Sequence, residues 1–279
     1  MPIISARFLR FIVLAFGIGS LSLIFQQVDV KTEANPIHPT QTISWLIPPS
    51  SLNVKDSEVY RQQRLKQNRS QHPQVTGDFY QAVEVIKNPD VLDVFVNKNF
   101  QLPATYQPNH LVYPNLPTAQ GPLNESILLQ EEAAHQAEKM FKAAKDEGLH
   151  LIAKSGYRSY QTQAQVYQTY VRNYGIDYAN QVSAKPGHSE HQTGLALDIT
   201  TKAMNYKLNQ AFAYTTEGQW LAQHAPQYGF ILRYPEGRES ETGYVYEPWH
   251  FRYVGTELAQ WLTENEWLLE EYVLVYHYL

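Results

Sequence analysis

Cysteine is absent from this chain of 279 residues. Its absence excludes disulfide bonds, thiolate zinc sites, iron–sulfur clusters and a cysteine nucleophile. Any metal must therefore be held by histidine, aspartate or glutamate side chains. The lack of cysteine does not fix the compartment, but export without disulfides fits the surface of a Gram-positive bacterium, which is the source we expect.

Charged residues are also few, and the two signs nearly balance. Charged residues make up 18% of the chain, the formal net charge is -5, and no long run of lysine or arginine occurs. Electrostatically driven binding to nucleic acid is therefore not expected. Hydrophobic residues make up 43%, which is typical of an ordinary globular protein. The length fits one large domain, or one medium domain with extra segments, and we expect a monomer.

The N-terminal region is predicted to target the chain to a membrane. An uncharged stretch over residues 11–28 follows Arg7 and Arg10. Its apolar part is intermediate in length between that of a signal peptide and a full membrane span, and no convincing cleavage site follows it. The positive charge before it predicts a cytoplasmic N-terminus and an extracellular remainder. We therefore expect residues 1–29 to be a single-pass signal anchor in the cell membrane, with a cleaved signal peptide and secretion as the alternative.

Residues 30–75 are predicted to be an extracellular tether. Four prolines lie between residues 36 and 49, and a polar run rich in glutamine, serine, lysine and arginine follows them. Such a composition buries little apolar surface and favours a mobile spacer, in which one helix is expected between residues 57 and 68. The pattern becomes globular near residue 76, so residues 76–279 are predicted to form the functional domain.

Short strands and helices alternate irregularly within this domain. The order lacks a regular βαβ repeat, which predicts the α+β class, with a small, mainly antiparallel sheet flanked by helices. The predicted strands are residues 91–96, 150–153, 195–199, 230–234 and 249–254. The predicted helices begin at the candidate caps Asn124 and Ser159, and at residues 219 and 257, and end near residues 146, 175, 227 and 277.

Candidate metal ligands lie in two segments that combine histidine with carboxylates. Residues 189–198 contain His191 and Asp198, and residues 247–250 contain His250. Without thiolates, zinc takes imidazole nitrogen and carboxylate oxygen, and catalytic zinc uses three protein ligands with a fourth position open. His191, Asp198 and His250 would fill that set. Within the predicted strand, Asp198 shares a face only with a small alanine, which leaves it open to a metal.

Glu247 remains as a carboxylate that the metal does not need. In a regular strand, Glu247 and His250 would point to opposite faces, so Pro248 is predicted to mark a bend that brings both side chains to the site. A carboxylate close to zinc but not bound to it can act as a general base. It would take a proton from zinc-bound water and pass it to a leaving amine.

Three motifs follow one another along the predicted domain. They are SGYRS at residues 155–159 with Gln163, PGHSEHQTG at residues 186–194 with Asp198, and GY at residues 243–244 with EPWHFRYVG at residues 247–255. In sequence and in order, they resemble the motifs of the VanY-type D-alanyl-D-alanine carboxypeptidases, which are zinc peptidases that trim peptidoglycan stem peptides. The resemblance covers about residues 90–275.

The resemblance implies one zinc ion per chain and a role for each matched residue. The metal ligands fall on the histidine and aspartate residues already named, and the catalytic carboxylate falls on Glu247. The catalytic arginine matches Arg158, and the substrate-binding polar residues match Gln163 and Ser189. Arg158 precedes a helix that Ser159 is expected to cap, so the guanidinium and the helix N-terminus can present N–H donors to an oxyanion or a terminal carboxylate.

The predicted function is that of a membrane-anchored zinc carboxypeptidase that removes the terminal D-alanine from peptidoglycan stem peptides. Zinc-bound water would be the nucleophile, and Glu247 the general base. Three alternatives remain open on the sequence alone: an L,D-carboxypeptidase acting on tetrapeptide stems, an endopeptidase cleaving inside the stem, and a non-catalytic wall-binding module.

Overall fold

The computed structural model describes residues 58–119 and 125–277. The predicted membrane segment, most of the predicted tether and the candidate cap Asn124 lie outside these residues. Within the described part, none of the helices combines the length and the apolar character needed to cross a membrane.

The helices and strands follow one another in a mixed order. The helices are α1 Glu58–Gln71, α2 Glu131–Asp146, α3 Tyr160–Tyr174, α4 Ile176–Val182, α5 Thr216–His224, α6 Glu239–Thr242, α7 Thr256–Glu264 and α8 Leu269–Tyr276. The strands are β1 Glu84–Val85, β2 Phe100–Gln101, β3 Leu111–Val112, β4 Leu129–Gln130, β5 Ile152–Ser155, β6 Ala196–Thr200, β7 Phe230–Leu232 and β8 His250–Tyr253.

A four-stranded antiparallel sheet lies at the centre, in the order β5-β6-β8-β7. Two smaller sheets pair β1 with β2 in parallel and β3 with β4 antiparallel. The predicted α+β class with a mainly antiparallel sheet is therefore confirmed. The register of the central sheet sets Asp198 on β6 directly opposite His250 on β8. Because opposed residues of neighbouring strands project to the same face, the register brings these two side chains together.

Helix α2 packs on the central sheet. Its apolar residues recur at helical spacing, so that one face is buried: Ala133, Ala134, Ala137, Met140, Phe141 and Ala144. They share a core with apolar side chains of β6 and β8, including Leu197 and Phe251. The helix begins at Glu131, after β4, and not near Asn124 as the sequence predicted, because residues 129–130 pair with β3 instead.

Helix α3 begins as predicted. The Ser159 side chain accepts a hydrogen bond from the backbone N–H of Thr162, and Gly175 ends the helix with a φ of 86°. The predicted strand at residues 91–96 is wrong, since these residues form a bend, a turn and irregular structure outside any strand. Val94, Phe95 and Val96 are nevertheless buried, so their apolar character reflects core packing without strand pairing.

The predicted C-terminal helix is divided in two. Helix α7 ends at Glu264 and α8 begins at Leu269. Between them, Glu266 adopts a left-handed conformation with a φ of 56°, and the N–H of Trp267 returns to the carbonyl of Leu262. A turn of this kind is incompatible with a continuous helix.

The predicted tether is wrong for residues 58–75, because α1 packs against α8. Leu65 is only 4% exposed, and the Asn68 side chain donates a hydrogen bond to the carbonyl of Leu274. Arg69 forms ion pairs with Glu241 and Glu271. The polar composition of this helix concealed a narrow buried face, and the folded domain extends at least to Glu58.

Candidate active site

An open cavity of about 480 Å³ lies over the central sheet. Its size is within the usual range for a small-ligand site. The cavity is lined by all seven residues that the sequence singled out: Arg158, Gln163, Ser189, His191, Asp198, Glu247 and His250. The structure therefore gathers into one place side chains that are up to 92 positions apart in the chain, from Arg158 to His250.

His191, Asp198 and His250 converge within this cavity. The Nε2 atom of His191 lies 3.3 Å from Oδ2 of Asp198, and Nδ1 of His250 lies 3.1 Å from Oδ1 of the same carboxylate. One potential ligand atom from each residue lies within 4.8 Å of the other two, and all three residues are buried. Two imidazole nitrogens and one carboxylate oxygen form a donor set that fits zinc.

The main chain orients His191. It lies in a 3-10 turn, Glu190–Thr193, which ends at Gly194 in a left-handed conformation. Its Nδ1 atom is 2.6 Å from the carbonyl oxygen of Gly156. A carbonyl can only accept, so Nδ1 carries the hydrogen and the lone pair of Nε2 faces Asp198. Position 156 has no room for a side chain, since a Cβ there would lie 2.5 Å from the carbonyl oxygen of Leu128.

Side chains orient His250. Its Nε2 atom lies 3.2 Å from Oε2 of Glu190, on the side of the ring away from Asp198. The two histidines therefore present different ring nitrogens, Nε2 of His191 and Nδ1 of His250. Burial opposes a charged His250 ring, but its hydrogen bonds to Asp198 and Glu190 outweigh this effect and raise its pKa to about 9.

Asp198 is held in its ionised form. Burial opposes the negative charge, but the adjacent rings of His191 and His250 outweigh it and hold the pKa of Asp198 well below its usual range. For His191 itself, burial dominates and lowers the pKa, which favours the neutral imidazole that a metal requires.

Glu247 lies beside the three candidate ligands without joining them. The backbone N–H of His250 donates to the carbonyl of Glu247 at 3.0 Å, which closes a turn across Pro248 and confirms the predicted bend. The Glu247 carboxylate comes within 4.0 Å of Nδ1 of His250. Burial raises the pKa of Glu247 to about 8; His250 opposes this shift and Asp198 adds to it. This geometry is that of a carboxylate able to exchange a proton near a metal.

Arg158 lies on the cavity wall and is fixed by its neighbours. Its guanidinium donates to Oε1 of Gln163 at 2.8 Å and to Oγ of Ser155 at 2.9 Å. Burial lowers its pKa, whereas the charges of Asp198 and Glu247 favour the cation.

The other two predicted polar residues differ in their surroundings. Gln163 is only 1% exposed, and its Nε2 donates to the carbonyl of Ala184 at 2.6 Å. Both ends of its amide are thus bonded within the protein, which favours support of Arg158 over direct contact with a substrate. Ser189 is buried in the cavity wall, immediately before the turn that carries His191.

A group of buried charges behind His250 was missed by sequence reasoning. Glu190 accepts from Arg233 and Arg252, and Arg233 also bonds to Glu270. Arginine is rarely buried unless it is paired. The position of Arg252 in an apolar strand within a motif could therefore have indicated a buried acidic partner. Nothing in the sequence pattern marks Arg233 or Glu270 as partners of the site.

A His-Asp-His donor set with a separate carboxylate and an arginine is an arrangement that suits a metal-dependent hydrolase. The family model described as VanY, D-alanyl-D-alanine carboxypeptidase, matches residues 126–256. The relative named "Putative carboxypeptidase YodJ" of Bacillus subtilis (strain 168) is 43% identical over 191 residues, corresponding to 68% of this chain and 70% of that protein. VanXYC of Enterococcus gallinarum, a bifunctional D-Ala-D-Ala dipeptidase and D-Ala-D-Ala carboxypeptidase, is 36% identical over 181 residues, corresponding to 63% of this chain and 90% of that protein. The chain therefore belongs to the VanY family and is a carboxypeptidase, which confirms the family predicted from the motifs.

Several solved structures resemble this one, among them those of two peptidases. The LdcB LD-carboxypeptidase, in a structure described as revealing the molecular basis of peptidoglycan recognition, has a TM-score of 0.66 and 42% identity, over 71% of this chain and 94% of that chain. The vancomycin resistance D,D-pentapeptidase VanY, crystallised as a mutant with Zn(II), has a TM-score of 0.53 and 29% identity, over 65% of this chain and 98% of that chain.

Proposed function

We propose that this protein is a zinc-dependent carboxypeptidase that removes the C-terminal D-alanine from peptidoglycan stem peptides. The observation that carries the proposal is the convergence of His191, Asp198 and His250, with Glu247 beside them, in one cavity. The complex of a VanY relative with Zn(II) supports the choice of metal.

One zinc ion per chain would be held by Nε2 of His191, a carboxylate oxygen of Asp198 and Nδ1 of His250. When bound, zinc supplies Lewis-acid activation of a carbonyl oxygen and of a water molecule. Because Nδ1 of His250 must be unprotonated to bind a metal, zinc affinity should fall as the pH falls.

The protein residues divide the remaining tasks. Glu247 accepts the proton of the attacking water and returns it to the leaving amine of D-alanine. Arg158, held by Gln163 and Ser155, donates hydrogen bonds to the carbonyl oxygen as negative charge develops there. Ser189 also lines the cavity and would contact the terminal carboxylate of the substrate.

A second candidate is L,D-carboxypeptidase activity on tetrapeptide stems. The observation that favours it is the greater likeness to LdcB, with 42% identity against 29% for the VanY D,D-pentapeptidase. Both candidates use the same residues for catalysis. They differ in the configuration of the residue before the scissile bond, which the cavity wall must select.

The proposed substrate lies outside the cell, so we propose that residues 1–29 anchor the enzyme in the cell membrane with its domain extracellular. Secretion after signal cleavage is the alternative. Helix α1 extends the folded domain to Glu58, so fewer residues separate the domain from the proposed anchor in the sequence than the predicted tether implied.

The experiment is digestion of defined pentapeptide and tetrapeptide muropeptides by the full chain, with a chelator and with added zinc. We expect D-alanine release from the pentapeptide that a chelator abolishes and zinc restores. Release from the tetrapeptide alone would establish the L,D-carboxypeptidase. Release from neither substrate would contradict both and favour an endopeptidase or a binding module.

A further inference from the structure

Glu190 stands next to a candidate ligand in the sequence, and its carboxylate lies between two buried arginines and the ring of His250. The side chain is fully buried. Its Oε1 atom accepts from Nε of Arg233 at 2.8 Å and from a terminal nitrogen of Arg252 at 2.9 Å, and its Oε2 atom lies 3.2 Å from Nε2 of His250. A buried carboxylate is costly unless it is paired, and here both of its oxygen atoms have partners.

The two arginines are fixed in turn from distant parts of the chain. Arg233 forms a bidentate pair with Glu270 of helix α8, with N–O distances of 2.8 and 2.7 Å. Arg252 donates to the main-chain carbonyls of Leu92 and Val94 at 2.9 and 2.8 Å. Two guanidinium groups thus face two carboxylates, so the position of Glu190 is determined by geometry that does not depend on the cavity.

This arrangement determines which nitrogen of His250 faces the cavity. A carboxylate accepts hydrogen bonds, so Nε2 donates to Glu190 and the ring is held with Nδ1 directed to Asp198, 3.1 Å away. If the ring were turned over, the hydrogen bond from Nε2 to Glu190 would be broken, and Nδ1 would no longer lie among the ligand atoms. Groups that bond to the second nitrogen of a ligating histidine fix its orientation and its tautomer.

We propose that Glu190 is a positioning residue for the metal site, held in place by the buried side chains of Arg233 and Arg252. The inference rests on the zinc site of the proposed function. A purely structural role for Glu190 is the competing explanation. It predicts lower stability with unchanged zinc affinity, whereas the positioning role predicts weaker zinc binding by protein that is still folded.

The test compares Glu190→Gln with Glu270→Gln in the full chain. Each variant removes one buried negative charge from the same chain of ion pairs, but only Glu190 contacts His250. Zinc affinity is measured by competition with a chromophoric chelator, and folding by thermal unfolding of each protein. We expect the zinc Kd of Glu190→Gln to rise by about 10- to 100-fold, as is usual for a group that supports a ligand. The rise for Glu270→Gln should be markedly smaller, even where its unfolding temperature falls as far.

Equal zinc Kd values for Glu190→Gln and the wild type, or equal losses in the two variants, would overturn the positioning role while leaving the proposed function intact. Wild-type protein that binds no zinc would overturn both. A second measurement does not require a folded variant. In the zinc-loaded wild type, ¹⁵N NMR of the His250 ring should show a protonated Nε2 and a metal-bound Nδ1, and the reverse assignment would overturn the proposal.

Discussion

The two histidines of the site reach the same point by different means. His191 is held by main-chain atoms: its Nδ1 bonds to the carbonyl of Gly156, and its own carbonyl accepts from the N–H of Arg158. His250 is held by side chains, through Glu190 and the buried arginines. A main-chain support responds to changes of backbone conformation, whereas a side-chain support can be removed by a single conservative substitution.

The difference also separates neighbouring from distant parts of the sequence. The His191 support joins two of the motifs directly, since residues 155–159 bond to residues 186–194. The His250 support depends on Arg233 and on Glu270, which no motif includes. Four substitutions or conditions test this division, beginning with the one that should leave both supports intact.

Glu247→Gln should have the largest effect, and only on turnover. The carboxylate is adjacent to the ligand atoms and bonds to neither support, so the site should keep its zinc. Loss of a general base typically costs about 10²- to 10⁴-fold in rate. We expect kcat to fall by a factor within that range, measured by D-alanine release from whichever stem peptide the wild type cleaves. The zinc content should stay at one per chain. Full activity in this variant would contradict the assigned role of Glu247.

Replacement of His191 or His250 by alanine should abolish zinc binding, and the loss should be equally large at the two positions. A group that merely supports a ligand is worth about 10- to 100-fold in metal affinity, so loss of the ligand itself should exceed about 100-fold. His191→Ala and His250→Ala are compared by chelator competition. His135→Ala, at an exposed position on α2, is the control and should bind zinc like the wild type. A variant at either ligand position that kept wild-type affinity would remove that residue from the ligand set.

The sequence was informative about the site because its residues lie in short segments at fixed spacing. His191, Asp198 and His250 could be proposed as ligands from their residue types and spacing, and the resemblance to the VanY motifs supported that choice. The bend at Pro248 followed from the alternation of side chains along a strand. All of these features depend on neighbours in the sequence, which is where patterns are most readable.

The parts that were missed depend on contacts between distant residues. Helix α1 is polar in composition, and only its packing against α8 shows that it belongs to the domain. The pairing of Arg233 with Glu270 brings together residues on β7's end and on α8, and the break at Glu266 sets where α8 lies. No local propensity encodes such pairs, so a single sequence cannot reveal them.

Gly156→Ala tests the main-chain support of His191. The new Cβ would lie 2.5 Å from the carbonyl oxygen of Leu128, so the segment that bonds to His191 must shift. Overpacking of this kind costs about 1–3 kcal/mol. We expect the free energy of unfolding to fall by that amount in denaturant titrations, together with weaker zinc binding.

The matched control is Gly77→Ala, where the nearest atom to a new Cβ is 3.5 Å away, at ordinary contact distance. It should change neither stability nor zinc affinity appreciably. If Gly156→Ala were destabilised yet bound zinc like the wild type, the carbonyl of Gly156 would not be needed to orient His191.

The smallest effect concerns the pH dependence of stability without metal. In the folded protein the pKa of Glu247 is raised from 4.5 to about 8, chiefly by burial. Between these values the folded state binds one more proton than the unfolded state, so the free energy of unfolding falls as the pH rises. His250, whose pKa is raised to about 9, adds a change of the same sign at higher pH.

The difference in the free energy of unfolding between Glu247→Gln and the wild type isolates the contribution of Glu247. In chelator-treated protein, the variant should gain stability relative to the wild type as the pH rises from 5 to 8, by at most about 1.4 kcal/mol per pH unit. Denaturant titrations at several pH values measure this difference. A difference that is constant with pH would mean that the carboxylate is solvated. In that case neither burial nor the charges of His250 and Asp198 would shift the pKa of Glu247, and Glu247 would lie outside the buried group that contains the candidate ligands.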